Sequence, residues 1–492
     1  MTDLPFWQLG AVDAAAAIRS RRVSAVEAVE AHIARLDAAN PAINAVVVDM
    51  RDAARADAAA ADAAADLAAD AGANTSKAAL PPLHGVPVLI KQNVDVKGRA
   101  NPNGVASLLH VIAPDDSPVV RNLRRAGAIP IGMTNTPEFS MRVFTDNVIH
   151  GQTNNPWDHG VTCGGSSGGS AAATAAGIGC MGHGTDIGGS LRVPAHACGL
   201  VTIKPTLGRI AQWNPSASAE RPLMAQLMAV QGPMCRDVAD TRLCLAAMSA
   251  PDPRDPWQVP APLFDWPDDP GARPLRIGVA RHPDGVDADP AILAIVAEAA
   301  RMLADAGHDV RPIEVPDPVA DGKLWGDILF SEFETMGGDV MRRDGSADFN
   351  KIWAGYMRFT ERLEGRAFMA ACAERTGRVR AWQVMLTEEV DVVLTPSIAA
   401  PTPTVGADLA DDDAPRLIWR EHMLWIGVMN LLGLPAAVLP AGMHAGLPVG
   451  VQLVAARYRE DRALAAAASL EAAVAAAQGG AILPKLWARE AR

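Results

Sequence analysis

Lys91 is the first residue of this chain whose type and position could do acid–base chemistry. It lies in PLHGVPVLIKQNV, at the end of an apolar run that is typical of a strand. A lysine in such a place either reaches solvent from the end of the strand or is buried among polar groups. In the second case, with no carboxylate beside it, burial lowers the pKa and leaves a neutral amine that can accept a proton.

Two serines further along the chain lie beside glycines. Ser166 is in GGSSGG, and Ser190 ends TDIGGS. Glycine permits backbone angles that other residues avoid, so the N–H groups before Ser190 can converge on one point, as an oxyanion hole requires. One GGS alone indicates only a turn. Together with Lys91, and without an acidic or histidine partner, the two motifs favour a catalytic interpretation.

The Gly-rich stretch at 163–206 that holds both serines has an alternative interpretation as a low-complexity linker. Single Thr, Asp, Ser and Arg residues occur among its glycines, and the buried-looking run CGLVTIKPTLGRI closes it. A flexible linker needs neither feature. The composition of the stretch therefore favours an ordered site.

The elements that must hold these groups alternate between strand and helix. PVLIKQNV and AIPIGM predict strands on either side of the helix SPVVRNLRRAG. Further on, LRIGVA and DVVLTPS predict strands, and residues 290–306 predict a helix. Alternation of this kind predicts an α/β fold in which crossover helices cover a sheet.

The first eighty residues differ, because they predict helices only. Ser24 and Glu27 have the spacing of a capping box, and an Ala-rich stretch at 51–71 predicts a surface helix with a thin apolar face. A later Pro- and Asp-rich stretch predicts an exposed, ordered crossing. The predicted organisation is an N-terminal helical segment packed on the core at 1–80, a core with the catalytic residues at 81–250, the crossing at 251–274 and a second half of the same fold at 275–492.

Composition and charge limit the classes of partner and of cofactor site that the chain is expected to have. The 492 residues include 44 Lys and Arg against 56 Asp and Glu, a net charge of −12, which argues against nucleic acid or an anionic membrane as partner. No signal peptide or membrane span is predicted, so the protein is expected to be cytoplasmic. The 6 cysteines without a CxxC pair and the 11 histidines without HxxxH indicate neither a disulfide framework nor a zinc site.

Over nearly its whole length the sequence resembles the amidase signature family. The similar segments are, in chain order, HGVPVLIKQNVDVKG, IGMTNTPEF, GQTNNPWD, CGGSSGGSAAATAAG, GHGTDIGGSLRVPA, CGLVTIKPTLGR, NLLGLPAAVLPAG and GLPVGVQLVA. The resemblance implies the amidase signature fold, an α/β architecture with a large twisted mixed sheet flanked by helices on both faces. It implies no metal and no cofactor.

The resemblance also implies a Ser, cis-Ser, Lys triad. Ser190 would be the nucleophile, Ser166 the bridging serine after a cis peptide bond, and Lys91 the base. Protons would pass from Ser190 through Ser166 to Lys91, and Ser190 would form an acyl-enzyme. By the same resemblance, the backbone N–H groups of Ile187, Gly188 and Gly189 would form the oxyanion hole. The side chains of Asp186 and Arg192 would brace the loop that carries them.

Two residues depart from the commonest family pattern. Cys163 stands where proline or another small residue is frequent, and Gln92 stands where aspartate often follows the lysine. Neither replaces a triad residue. Cys163 is expected to be a buried, inert thiol, with pocket lining as the alternative.

The second half of the chain points to the kind of substrate. Aromatic and Met side chains crowd residues 325–425, and the chain has 11 Trp against 2 Tyr. Core packing explains any one of them, but in the resembled family this region, about 320–430, lies over the active-site funnel. An aromatic pocket suits an apolar or aryl substrate. The residues predicted for the pocket are Met133, Trp325, Trp419 and Trp425.

The predicted function is hydrolysis of the C–N bond of small apolar or aryl amides, with carbamates (urethanes) and esters as further substrates. The partner is then a small molecule, with no nucleic acid and no membrane, and the enzyme is a monomer or homodimer. The alternative is the amidase-like subunit of the glutamine-dependent tRNA amidotransferase, whose usual Tyr-rich stretch is not matched, since only Tyr356 and Tyr458 occur. An inactive scaffold is disfavoured because every triad position is filled.

Overall fold

One mixed sheet of 11 strands runs through the residues that the computed structural model describes, which are 5–70, 80–263, 273–480 and 482. The strands are β1 (Val46–Asp49), β2 (Pro87–Lys91), β3 (Ile129–Thr134), β4 (Met181–Asp186), β5 (Val201–Lys204), β6 (Val230–Cys235), β7 (Arg276–Ala280), β8 (Asp309–Ile313), β9 (Val392–Pro396), β10 (Ala436–His444) and β11 (Leu447–Ala455). Their order across the sheet is β1-β3-β2-β4-β6-β5-β10-β11-β9-β7-β8. This sheet, with helices on both faces, confirms the predicted α/β class.

Three neighbouring strands bring candidate groups to one edge of the sheet. β2 pairs in parallel with both β3 and β4, so the carboxyl ends of the three strands lie at the same edge. Lys91 is the last residue of β2, and Asp186 is the last residue of β4. All residues of β2 are buried, as expected for a central strand with helices on both faces.

Helices cover the two faces of the sheet. They are α1 (Ala11–Arg19), α2 (Ala25–Ile43), α3 (Arg51–Asp70), α4 (Pro118–Arg125), α5 (Gly168–Ala175), α6 (Arg192–Cys198), α7 (Leu223–Gln226), α8 (Val238–Met248), α9 (Pro290–Asp305), α10 (Pro318–Asp344), α11 (Ala347–Phe359), α12 (Gly365–Glu388), α13 (Ala414–Arg416), α14 (Leu424–Leu432) and α15 (Glu460–Gln478). Successive strand residues point to opposite faces. In β2, Ile90 packs in the core with α4, α8 and α15, whereas Leu89 packs with α2, α5 and α6. Within the described part of the chain, no helix is long and apolar enough to cross a membrane.

The N-terminal segment contains the predicted helices and one strand that the sequence did not predict. The Oγ of Ser24 accepts the N–H of Glu27 at 3.0 Å and Oε2 of Glu27 accepts the N–H of Ser24 at 2.8 Å, which confirms the capping box of α2. β1 corrects the all-helical prediction for 1–80. Asn44 takes a left-handed conformation that ends α2, and the β-branched residues after it pair with β3. The predicted end of the Ala-rich helix, at Ala71, lies outside the described residues.

The two halves of the chain contribute to the same sheet, because β5 pairs antiparallel with β10. Of the crossing between them, residues 264–272 lie outside the described residues. In the part before them, side chains such as Trp257 and Val259 are exposed, as predicted, whereas Asp255 is buried. Asp255 is only 7% exposed, and its carboxylate accepts the N–H groups of Gln212 and Trp257, each at 2.8 Å.

Candidate active site

Lys91 is fully buried and surrounded by hydroxyl groups. Its Nζ lies 2.7 Å from Oγ of Ser166, 2.9 Å from Oγ1 of Thr185 and 3.1 Å from Oγ of Ser167. Burial lowers the pKa of Lys91 well below its ordinary value of 10.5, and the charge of Asp186 offsets only part of that shift. The amine is therefore neutral in a pH range where an ordinary lysine is charged.

The neighbouring hydroxyl groups allow the lone pair of Lys91 to face Ser166. Ser167 Oγ donates its proton to the carbonyl of Thr185 at 3.3 Å, so toward Lys91 it can only accept. The side-chain amide of Asn93 donates to Oγ1 of Thr185 at 2.9 Å. A neutral amine has two N–H groups and one lone pair, and when the N–H groups point to Ser167 and Thr185 the lone pair faces Ser166. In this orientation Lys91 can accept a proton from Ser166.

Ser166 and Ser190 line the same cavity. The peptide bond between Gly165 and Ser166 is cis, as the resemblance implied. The N–H of Ser167 donates to the carbonyl of Ser190 at 3.2 Å, so the two Gly-rich loops are in direct contact. The structure thus brings the predicted triad together, with Lys91 bonded to Ser166 and Ser190 beside them.

The loop before Ser190 carries the backbone N–H groups predicted for the oxyanion hole. Gly189 has a φ of 96°, a conformation that favours glycine, and its N–H donates to Oδ1 of Asp186 at 2.8 Å. That predicted donor is therefore already engaged. For the N–H groups of Ile187 and Gly188, no acceptor lies within hydrogen-bonding distance among the described residues. These two N–H groups are available to an oxyanion.

Asp186 and Arg192 form a buried ion pair beneath this loop, where side chains that brace it were predicted. The Nε and Nη2 of Arg192 each donate to the Asp186 carboxylate at 3.0 Å, and neither side chain is exposed. Asn430 donates to Asp186 at 2.9 Å, and Gln452 accepts from Arg192 at 2.8 Å. Burial alone would raise the pKa of Asp186, but the Arg192 charge holds it below its ordinary value of 3.8. The carboxylate is therefore charged and fully paired.

Replacement of Arg192 by methionine is expected to lower the free energy of unfolding by about 3–5 kcal/mol, because the Asp186 carboxylate stays buried without its partner. Urea denaturation followed by circular dichroism measures the loss. Arg301→Met is the control, since Arg301 pairs with Glu298 on the exposed surface of α9, where an ion pair contributes little. If the two variants were equally stable, Arg192 would not brace the loop.

Ser190 lines two cavities of different character. The larger has a volume of about 570 Å³ and extends to the exposed residues 219–221. Its size is that of a small-molecule site. The smaller cavity, of about 20 Å³, is an open cleft between aromatic side chains and the oxyanion loop, which is residues 187–189. It is lined by Ile187, Gly188, Met141, Leu329, Trp325, Phe330 and Trp419 among others.

Two of the four side chains predicted for the substrate pocket lie beside Ser190. Trp325 and Trp419 both line the smaller cavity, with their ring centroids 5.1 Å apart. The prediction is wrong for Met133 and Trp425. Met133, a residue of β3, is buried in the core of the sheet, and Trp425, a residue of α14, is buried in the core against α12. Side chains on one strand or helix point in different directions, so residues near the pocket in sequence can face away from it.

Some residues of the site were missed in the sequence. Ser167, Thr185 and Asn93 contact Lys91 or one of its partners, and the available signal was their position next to the triad motifs. Arg254 and Trp257 of the crossing line the larger cavity. No local sequence pattern predicts that these two residues line the cavity, because only the tertiary fold brings the crossing next to it.

Neither a reactive thiol nor a metal centre is found at the site. Cys163 is buried, and burial raises the pKa of its thiol to about 12, as expected for an inert cysteine. In the described ranges, no group of three or more His, Cys, Asp and Glu side chains is arranged to hold a metal ion.

The chain is similar to known proteins over nearly its whole length. The model of the amidase family matches residues 27–464. The chain is 49% identical to an indoleacetamide hydrolase of Bradyrhizobium diazoefficiens over 98% of this chain and 89% of that protein. It superposes on a 6-aminohexanoate cyclic dimer hydrolase solved with substrate (TM-score 0.80, 31% identity, 98% and 100% of the two chains). It also superposes on a bacterial aryl acylamidase (TM-score 0.80, 26% identity, 96% and 97%).

Proposed function

Because the chain belongs to the amidase signature family and is an amide hydrolase, we propose that it cleaves amides of small aryl-substituted acids through an acyl-enzyme on Ser190. The observation that carries the proposal is the aromatic wall beside Ser190, formed by Trp325, Phe330 and Trp419. The free space beside these rings is only about 20 Å³, so an indole or phenyl ring on the acyl side of the amide would lie in the adjoining 570 Å³ cavity and contact this aromatic wall. The similarity to an indoleacetamide hydrolase supports the same substrate class.

The proposed reaction begins with proton transfer toward Lys91. Lys91 accepts the proton of Ser166 while Ser166 accepts that of Ser190, and Ser190 Oγ forms a bond to the carbonyl carbon. The N–H groups of Ile187 and Gly188 stabilise the negative charge on the carbonyl oxygen. The C–N bond then breaks as the nitrogen takes a proton from Ser166, and Ser166 regains one from Lys91. This step leaves an acyl group on Ser190 and releases ammonia or an amine.

Water completes the turnover by the same relay. It adds to the acyl carbon as its proton passes to Ser166 and Lys91, and the bond to Ser190 Oγ breaks as the serine regains its proton. The products are a carboxylic acid and the free enzyme. Nothing in this relay depends on nitrogen as the leaving atom, so we propose aryl carbamates and esters as further substrates.

A substrate panel tests the proposal. Indole-3-acetamide, phenylacetamide, acetamide, glutamine, an aryl carbamate and a p-nitrophenyl ester are compared by kcat/KM with purified protein. Aryl acetamides are expected to exceed acetamide and glutamine. A preference for glutamine would favour the amidotransferase subunit instead. An acyl adduct on Ser190, detected by mass spectrometry after quenching the ester reaction, would support the acyl-enzyme, and a burst without such an adduct would contradict it.

Replacement of Trp419 by alanine is expected to lower kcat/KM for indole-3-acetamide relative to acetamide. The variant loses a large apolar contact worth up to about 3 kcal/mol, or roughly a hundredfold in the ratio of the two kcat/KM values. The control is Trp425→Ala, because Trp425 lies in the core. That variant is expected to lower the melting temperature and leave the ratio unchanged. Equal ratios in both variants would remove Trp419 from the substrate site.

A further inference from the structure

Trp325 makes a hydrogen bond that pocket lining does not require. Its indole Nε1–H donates to the carbonyl oxygen of Ile187 at 3.0 Å. Ile187 and Gly188 are the two residues of the oxyanion loop whose N–H groups have no acceptor among the described residues. A side chain of the aromatic wall is therefore bonded to the backbone of the candidate oxyanion hole.

Because of the geometry of the peptide unit, the hydrogen bond from Trp325 to the Ile187 carbonyl also determines the direction of the Gly188 N–H. The carbonyl of Ile187 and the N–H of Gly188 belong to one planar peptide group and point in opposite directions. Glycine imposes few limits on its backbone angles, so this group could rotate if nothing held it. Fixing the Ile187 carbonyl therefore fixes where the Gly188 N–H points.

Packing leaves the Trp325 ring little room to move. A Cβ on Gly188 would come within 2.6 Å of Cζ2 of Trp325, and a Cβ on Gly427 would come within 2.8 Å of its Cε3. The ring is thus held between the oxyanion loop and α14, and the side chain is only 4% exposed. Trp419 lies against it with ring centroids 5.1 Å apart. The indole is a rigid support for the loop.

We propose that Trp325 is a positioning residue of the reaction. By holding the Ile187 carbonyl, it keeps the Gly188 N–H directed at the oxyanion of the tetrahedral intermediate. The inference rests on the proposed function, because it takes Ser190 as the nucleophile. Beyond the proposed function, the inference states that Trp325 raises kcat, although the sequence predicted only that it lines the substrate pocket.

Two substitutions separate the hydrogen bond from the packing. Trp325→Phe removes the N–H and part of the ring, and 3-benzothienylalanine at position 325 keeps the shape of the indole and removes only the N–H. Trp353→Phe is the matched control. Trp353 is buried in the same aromatic cluster, but its Nε1–H donates to Glu334 at 2.9 Å and it lines none of the cavities at Ser190.

Loss of the Trp325 N–H is expected to lower kcat at least about tenfold, since complete loss of an oxyanion donor lowers kcat by about 10²–10³. The decrease should be the same for acetamide and indole-3-acetamide, with smaller changes in KM. Trp353→Phe should lower the melting temperature and leave kcat of the folded enzyme unchanged. Retention of kcat within about twofold in the 3-benzothienylalanine variant would overturn the proposal.

Inhibitor binding distinguishes a positioning role from a structural one. Ethylboronic acid bonds to Ser190 Oγ, the serine proton passes to Lys91, and the tetrahedral boronate places an oxygen in the oxyanion hole. Propanoate has the same acyl size but stays planar. Both Trp325 variants should bind the boronic acid at least about tenfold more weakly and propanoate equally well. Equal weakening of both ligands would show that Trp325 only shapes the pocket and would overturn the inference.

The same measurements show whether the proposed function itself has failed. If the unsubstituted enzyme formed no boronate adduct at Ser190, the nucleophile assignment would be wrong and so would the role of Trp325. If the adduct formed and the Trp325 variants bound ethylboronic acid as tightly as the unsubstituted enzyme does, only the positioning role of Trp325 would be wrong.

Discussion

Replacement of Ser190 by alanine is expected to lower kcat for indole-3-acetamide by a factor on the order of 10⁶. The variant keeps the cavity and the N–H groups of Ile187 and Gly188, but it has no atom that can form the acyl-enzyme. Groups that act as one relay lose nearly all their effect when the nucleophile is removed. The rate is measured by release of ammonia at saturating substrate.

Ser170→Ala provides the matched control for the nucleophile. Ser170 belongs to the same Gly-rich stretch, but its hydroxyl is buried against Thr134 and the carbonyl of His183 and does not line the cavities at Ser190. Its loss should reduce stability and leave kcat of the folded enzyme unchanged. More than a few per cent of residual activity in Ser190→Ala would exclude Ser190 as the nucleophile.

The second large effect is expected from Lys91→Met, which keeps the length and apolar stem of the side chain and removes the amine. Loss of a general base alone lowers kcat by about 10²–10⁴, and we expect at least the upper part of that range because Lys91 is the end of the proton relay. Ser166 then has no group to which it can pass a proton. The hydrogen bonds of Nζ to Ser167 and Thr185 are lost as well, so the melting temperature is measured beside kcat.

The pH dependence identifies the base. The active form of Lys91 is neutral, so kcat/KM is lost as pH falls through its pKa and is retained above it. Because burial lowers this pKa well below 10.5, activity should persist at pH values where an ordinary lysine is charged. Lys204 is the control, since it is also fully buried and burial lowers its pKa to about 7. If Lys204→Met abolished the acidic limb of the profile, Lys91 would not be the group that titrates.

The buried pair of Asp186 and Arg192 links this chemistry to the fold. Asp186 accepts the N–H groups of Gly189 and Leu191, and Arg192 bonds to Gln452 of β11 and Asn430 of α14. The oxyanion loop of the first half is thus held by the second half. The support of this loop therefore includes residues of β11 and α14, which lie outside the Gly-rich stretch.

The sequence alone determined the fold class, the family and the residues of the candidate triad. Strands such as β2 and helices such as α2 follow from local apolar spacing and from the Ser24 capping box, which act over a few residues. The resemblance placed Lys91, Ser166 and Ser190 because their motifs are specific and occur in order along nearly the whole chain. Features that depend on neighbours in sequence were therefore predictable.

The tertiary structure decided what depends on contacts between distant residues. The strand β1 forms because β3 offers it an edge, although 1–80 predicted only helices. Trp419 faces the cavity and Trp425 faces the core, although the two lie close together in the sequence. Gly189 was predicted as an oxyanion donor, and only the folded loop shows its N–H donating to Asp186. Side-chain direction and hydrogen-bond pairing are set by packing across the sheet, and composition and local periodicity do not contain that information.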